Sequence, residues 1–124
     1  MKLLETRQDI ETLVNEFYSR VQKDDLIGPI FNEQAKVDWS KHLPKMYDFW
    51  EDLLFHKENY RGRPFPPHIP LGLEQKHFER WVHLFLATVE ENFYGFKADE
   101  VKTRAQKIAF NFQVNLGLIK LDIN

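Results

Sequence analysis

The chain has 124 residues, enough for one domain with a substantial core. Seventeen Lys and Arg against 19 Asp and Glu give a formal charge of −2, which argues against a nucleic-acid partner because such binders carry a basic excess. No cysteine is present, which excludes disulfides, thiolate metal sites and a thiol nucleophile.

Met1-Lys2-Leu3-Leu4 is too short for the core of a signal peptide, and no apolar run approaches the ~18 residues a membrane span needs. The expectation is a cytoplasmic protein without a membrane span. Ile10, Leu13, Val14, Phe17, Tyr18 and Val21 recur at helical spacing and predict a first amphipathic helix. Thr6 followed by Asp9 has the form of a capping box, with Asp in place of the usual Glu or Gln. Gly28-Pro29 breaks the pattern, leaving room for a short helical turn between Lys23 and Phe31.

A second stripe runs through Trp39, His42, Leu43, Met46, Phe49, Trp50, Leu53 and Leu54 and ends near Phe55. Pro44 lies close to its start, where few intrahelical donors are lost. The segment Asn59 to Gly72 then holds four prolines and two glycines in 14 residues, which forbids a regular helix through most of it. A third helix carries His77, Phe78, Trp81, Leu84, Phe85, Thr88 and Val89 on one face, with Gly95 as its expected stop. A fourth carries Val101, Ala105, Ile108, Ala109, Phe112 and Leu116, with Asp99 and Glu100 placed for its first turn. No segment alternates with period two. The predicted class is all-α, a single domain of four substantial helices with one proline-pinned loop.

Eleven Phe, four Tyr and three Trp make up 15% of the chain. They either fill the core or line a pocket for something large, flat and apolar. The five histidines form no metal signature: H-E-x-x-H is absent, and His77 and His83, six apart, fall on different helix faces. No phosphate loop or nucleophile elbow is present.

His68, in Pro66-Pro67-His68-Ile69-Pro70, is held by prolines on both sides. It is either a histidine in an exposed turn or a neutral imidazole aimed as an axial haem ligand requires. Tyr18, His42 and Trp81 each bring a polar donor to an otherwise apolar face of a different helix. Singly, each reads as a core residue. Converging in one pocket, they would grip a small polar ligand. Arg61, Arg63 and Arg80 are candidates to meet a carboxylate on a ligand.

The matching elements Phe17-Tyr18, Leu26 to Asn32, Trp39-Ser40-Lys41-His42, Phe49-Trp50, Tyr60-Arg61-Gly62-Arg63-Pro64, His77 to Phe85, Arg104-Ala105, Ile108-Ala109 and Phe112 stand in an order and spacing that resemble the group III truncated haemoglobins of bacteria. The likeness spans about Gln8 to Leu116. It implies a truncated globin fold, in which two helices over two sandwich a b-type haem (iron protoporphyrin IX). It implies His68 as the proximal iron ligand and Tyr18, His42 and Trp81 as the distal ligand-binding residues. Phe31, Met46, Trp50, Arg61, Arg63 and Phe78 are the further haem contacts it implies.

The ligands so implied are O2, CO and NO, with peroxide or cyanide as further candidates. Two donors to a ligand bearing negative charge, at ~1.5–3 kcal/mol each, would slow its release by a few hundredfold or more, at ~1.4 kcal/mol per tenfold. That favours tight retention or redox chemistry over O2 transport. NO detoxification or peroxidase-like turnover with an external reductase is the enzymatic alternative, and a cofactor-free helical interaction module the third. A monomer or weak dimer is expected. Pro44 departs from the resemblance, because it is placed to tilt His42 outward as a gate.

Overall fold

A computed structural model describes residues 1–60 and 71–120. Helix α1, Arg7–Lys23, starts on the capping box expected from Thr6 and Asp9. The Thr6 hydroxyl accepts from the Asp9 N–H at 3.2 Å, and the Asp9 carboxylate accepts from the Thr6 N–H at 3.0 Å. Asp9 also accepts from the Glu5 N–H at 2.9 Å and pairs with Lys2 at 2.7 Å. Burial opposes its charge, but Lys2 and these donors outweigh burial and hold the carboxyl below its ordinary range. The shorter acid serves because the chain before the helix folds back to meet it.

All six stripe residues, Ile10 to Val21, are buried. After α1 the Asp24 carboxylate accepts from the Leu26 and Ile27 N–H groups, both at 3.0 Å. Gly28 then passes so close to the end of α1 that a Cβ would lie 2.9 Å from the Val21 and Gln22 carbonyl oxygens. The short helical turn foreseen here lies slightly later, as a π-helical turn at Ile30–Gln34.

Helix α2, Trp39–Phe55, is capped by Asp38, whose carboxylate accepts from the Ser40 N–H at 3.1 Å. It runs on through Pro44, an exposed position. Only the Ser40 carbonyl loses its intrahelical donor there. The helix stops at His56, which adopts left-handed backbone with φ 59°.

Helix α3, Gln75–Asn92, begins with the Glu74 N–H donating to His77 Nδ1 at 2.8 Å. Gly95 does not stop this helix. It ends earlier, at Asn92, and Gly95 is the N-cap of α4, Phe96–Asn115, with φ 100°. A Cβ at Gly95 would sit 2.7 Å from the Leu3 side chain. Between them lies strand β2, Phe93–Tyr94, paired in parallel with β1, Lys2–Leu3. Two-residue strands are too short to carry a period, so alternation could not reveal them.

Arg7 donates to Asp48 at 2.7 Å and to Glu51 at 3.0 Å, while further along α1 Tyr18 meets His42 and Trp39. Helices α1 and α2 therefore run in opposite senses. Lys102 pairs with Glu90 across the α3–α4 turn, and Phe78 faces Ala109 and Gln113 farther from it, so this pair is antiparallel too. Helix α1 packs on both α2 and α3. The core is a run of rings from three helices. Phe17 touches Trp81 at 5.5 Å and Phe85 at 5.0 Å, and Phe85 touches Trp50 at 4.9 Å. No helix among the described residues is long and apolar enough to cross a membrane.

Candidate functional site

Tyr18 is a polar residue on the buried stripe of α1, 5% exposed. Among the described residues its ring has four aromatic neighbours, with centroids at 4.8 Å for Phe17, 5.3 Å for Trp39, 5.3 Å for His42 and 5.9 Å for Phe31. Burial pushes its hydroxyl pKa well above the ordinary phenol value, and Tyr60 adds to the shift. The group therefore stays protonated, and able to donate, throughout the physiological range.

His42 faces inward. Its ring stands edge-on to Tyr18 and to Trp39, at 5.6 Å from the latter, and its Nε2 is shielded from solvent. The proline two residues later does not turn it out, because the helix passes through Pro44 without a break. Trp81 stands one ring away from this cage. It lies edge-on to Phe17 and is stacked on Phe85 at an interplanar angle of 17°.

Phe31 packs against Tyr18 and stacks on Trp39 at 6.0 Å. Met46 is half-buried against the core, and Trp50 is buried between Phe49 and Phe85. Phe78 lies at a groove of about 300 Å³ between α3 and α4, opposite Ala109 and Phe110. Arg80 is engaged by Asp24 at 3.3 Å. His68, Arg61 and Arg63 lie outside the described residues.

Phe17 and Trp39 of the cage, and Tyr60 near it, are absent from the site residues inferred from sequence. Trp39 touches Tyr18, His42 and Phe31, and its indole N–H reaches Asn32 Oδ1 at 3.4 Å. Its place on the apolar stripe was the available signal. Tyr60 packs its ring on Phe49 at 5.3 Å, its N–H donates to the Asp52 carboxylate, and burial raises its own hydroxyl pKa. Tyr60 stands in a non-periodic segment, where no pattern assigns it a face.

One face of α2 is incompletely covered. Only Trp50 and Leu54 are fully buried on this helix, whereas Leu43, Met46, Phe49 and Leu53 are half-buried. Helix α2 lies along α1 but meets α4 at few points. An apolar face of this size, next to proton donors from three helices, suits a flat apolar group with a polar ligand at its centre. Among the described residues no cluster of His, Asp and Glu would hold a metal ion by itself.

The sequence signature of the bacterial-like globins matches residues 3–113. The group 3 truncated haemoglobin ctb of Campylobacter jejuni is 32% identical over 111 residues, covering 86% of this chain and 87% of that protein. A group 1 truncated haemoglobin, GlbN of a Nostoc species, is 34% identical over 71 residues, 56% of this chain and 58% of its own length. The crystal structure of the group III truncated haemoglobin from Campylobacter jejuni superposes with a TM-score of 0.85 at 33% identity, over 94% of this chain and 95% of that one. This chain therefore belongs to the bacterial-like globins, within their group III truncated haemoglobins. Membership implies haem and the binding of small diatomic ligands. The half-covered face of α2 and the buried Tyr18 hydroxyl fit that group.

Proposed function

We propose that the chain holds haem b through His68 and retains or chemically transforms a diatomic ligand, O2 foremost, in place of carrying it. The haem iron, when bound, supplies the ligand site and the electron density that makes the ligand a hydrogen-bond acceptor. The chain supplies the rest. Tyr18 presents a phenolic proton that its raised pKa keeps in place. His42 stands beside it, and Trp81 adds an indole N–H from the opposite helix pair. Phe31, Trp39 and Phe17 pack around the Tyr18 ring and fix the position from which it donates. Met46 and Phe49 offer apolar contact to the porphyrin.

The carrying observation is the buried Tyr18 hydroxyl caged by rings with His42 alongside. The same pairing supports a second reading. An imidazole next to a phenol can pass a proton during O–O cleavage of peroxide, which suits a peroxidase-like enzyme served by an external reductase, with NO detoxification as the other enzymatic chemistry of the same pocket. Turnover with reductant and peroxide or NO separates the two readings.

The basic test is the absorption spectrum of the ferrous protein with and without CO, on wild type and His68→Ala. A Soret band that shifts with CO, and is lost or weakened in the variant, supports the assignment. A colourless protein that takes up no haem favours a cofactor-free helical interaction module.

A further inference from the structure

Beside its apolar stripe, α1 carries a polar one. Asn15, Ser19, Gln22 and Lys23 stand with Tyr18 at helical spacing and are all exposed. They form one wall of a cleft of about 480 Å³, with Asn32 and Leu43 on the opposite side. Tyr18 is the only buried residue lining it among the described residues, so the cleft runs from solvent down to the ring that anchors the cage.

The walls are held from both ends. Asn15 accepts from the Tyr47 hydroxyl, and the Asn32 amide reaches the Gln22 carbonyl at 3.4 Å. Among the described residues Lys23 is the one charged residue of the lining, and it enters no ion pair. The adjacent Asp24 is occupied by Arg80 and by the Leu26 and Ile27 N–H groups. Glu33, next to Asn32, does not line the cleft.

We propose that this cleft is the solvent route to the distal pocket, and that Lys23 at its mouth makes it favour small anions over neutral ligands. A polar wall keeps the passage wet, and a cation at its mouth that no carboxylate of the lining neutralises raises the local concentration of anions. The ligand class that follows is a small monovalent anion able to reach a haem iron, with azide as the probe. The destination rests on the haem reading above, whereas the anion preference belongs to the cleft itself.

The test compares CO and azide association by flash photolysis and stopped flow. Ser19→Trp and Asn32→Trp place an indole in the passage from exposed positions, and both are expected to slow CO and azide together, several-fold. Lys23→Glu is expected to slow azide by about three- to tenfold at low ionic strength, with the difference gone at ~1 M salt, while CO serves as the charge-blind reference. Unchanged CO and azide rates in both tryptophan variants overturn the route. Equal effects of Lys23→Glu on CO and azide overturn the charge preference.

A second readout does not depend on ligand kinetics. The protein is titrated with azide as purified, in the diamagnetic ferrous-CO state if haem is present, and its amide resonances are followed. Shifts at Ser19 and Lys23 that vanish in Lys23→Glu support the anion site, and their absence overturns it. If no haem is taken up, this arm still decides on the cleft, so the two readings fail separately.

Discussion

Tyr18→Phe removes one oxygen from a buried position of the site and leaves the ring in its cage. Tyr18 as a whole is only 5% exposed. A hydrogen bond from its hydroxyl to a ligand bearing negative charge is therefore only weakly screened and belongs in the upper part of the range for charged acceptors, about 2–3 kcal/mol. At ~1.4 kcal/mol per tenfold, the O2 dissociation rate should rise about 30- to 150-fold. The assay is O2 displacement by excess CO in the haem-loaded protein, followed by stopped flow. CO, a poorer acceptor, should dissociate at nearly the wild-type rate. Trp81→Phe should act in the same direction but less, because Trp81 is only half-buried and stands a ring away. An unchanged O2 dissociation rate in Tyr18→Phe, with an intact Soret band, would remove Tyr18 from the mechanism.

Trp50→Ala empties the junction of α2 and α3 where the indole meets Phe85, and should lower unfolding stability by about 3–5 kcal/mol in urea titration. Asp9 has a depressed pKa in the folded chain, so its contribution is present above the unfolded value of 3.8 and is lost as pH falls through the folded one. Asp9→Asn should therefore flatten the acid limb of the stability profile below about pH 4 and cost about 1–2 kcal/mol at neutral pH through the weakened cap. The hydroxyl of Tyr18 has the opposite dependence. Its folded pKa lies above the ordinary 10.0, so the unfolded chain ionises first and stability falls as pH rises beyond that value. Tyr18→Phe should reduce that alkaline slope by up to ~1.4 kcal/mol per pH unit, measured by denaturation between neutral and strongly alkaline pH. His56→Gly should stabilise the chain by about 0.5–1 kcal/mol, since glycine adopts the left-handed end of α2 without the penalty His56 carries.

The helices were legible because burial of one face leaves a period in the chain. Ile10 to Val21 and Trp39 to Leu54 mark α1 and α2, and Thr6 with Asp9 marks where α1 starts, through interactions within a few residues. The same local logic singled out Tyr18, His42 and Trp81 as polar groups on apolar faces. It says which side of a helix a residue occupies, and nothing about which residues of other helices stand opposite. Only the tertiary structure decided that His42 turns inward onto Tyr18 and Trp39, that Tyr60 reaches Phe49, that Phe78 lies at the α3–α4 groove, and that Gly95 opens α4 beneath Leu3 instead of closing α3. Those facts depend on how helices cross and on a two-residue parallel pairing between chain segments some ninety positions apart. Contacts at that separation leave no repeating mark in the residues that make them, because each is set by the packing of the whole chain and not by its neighbours along it.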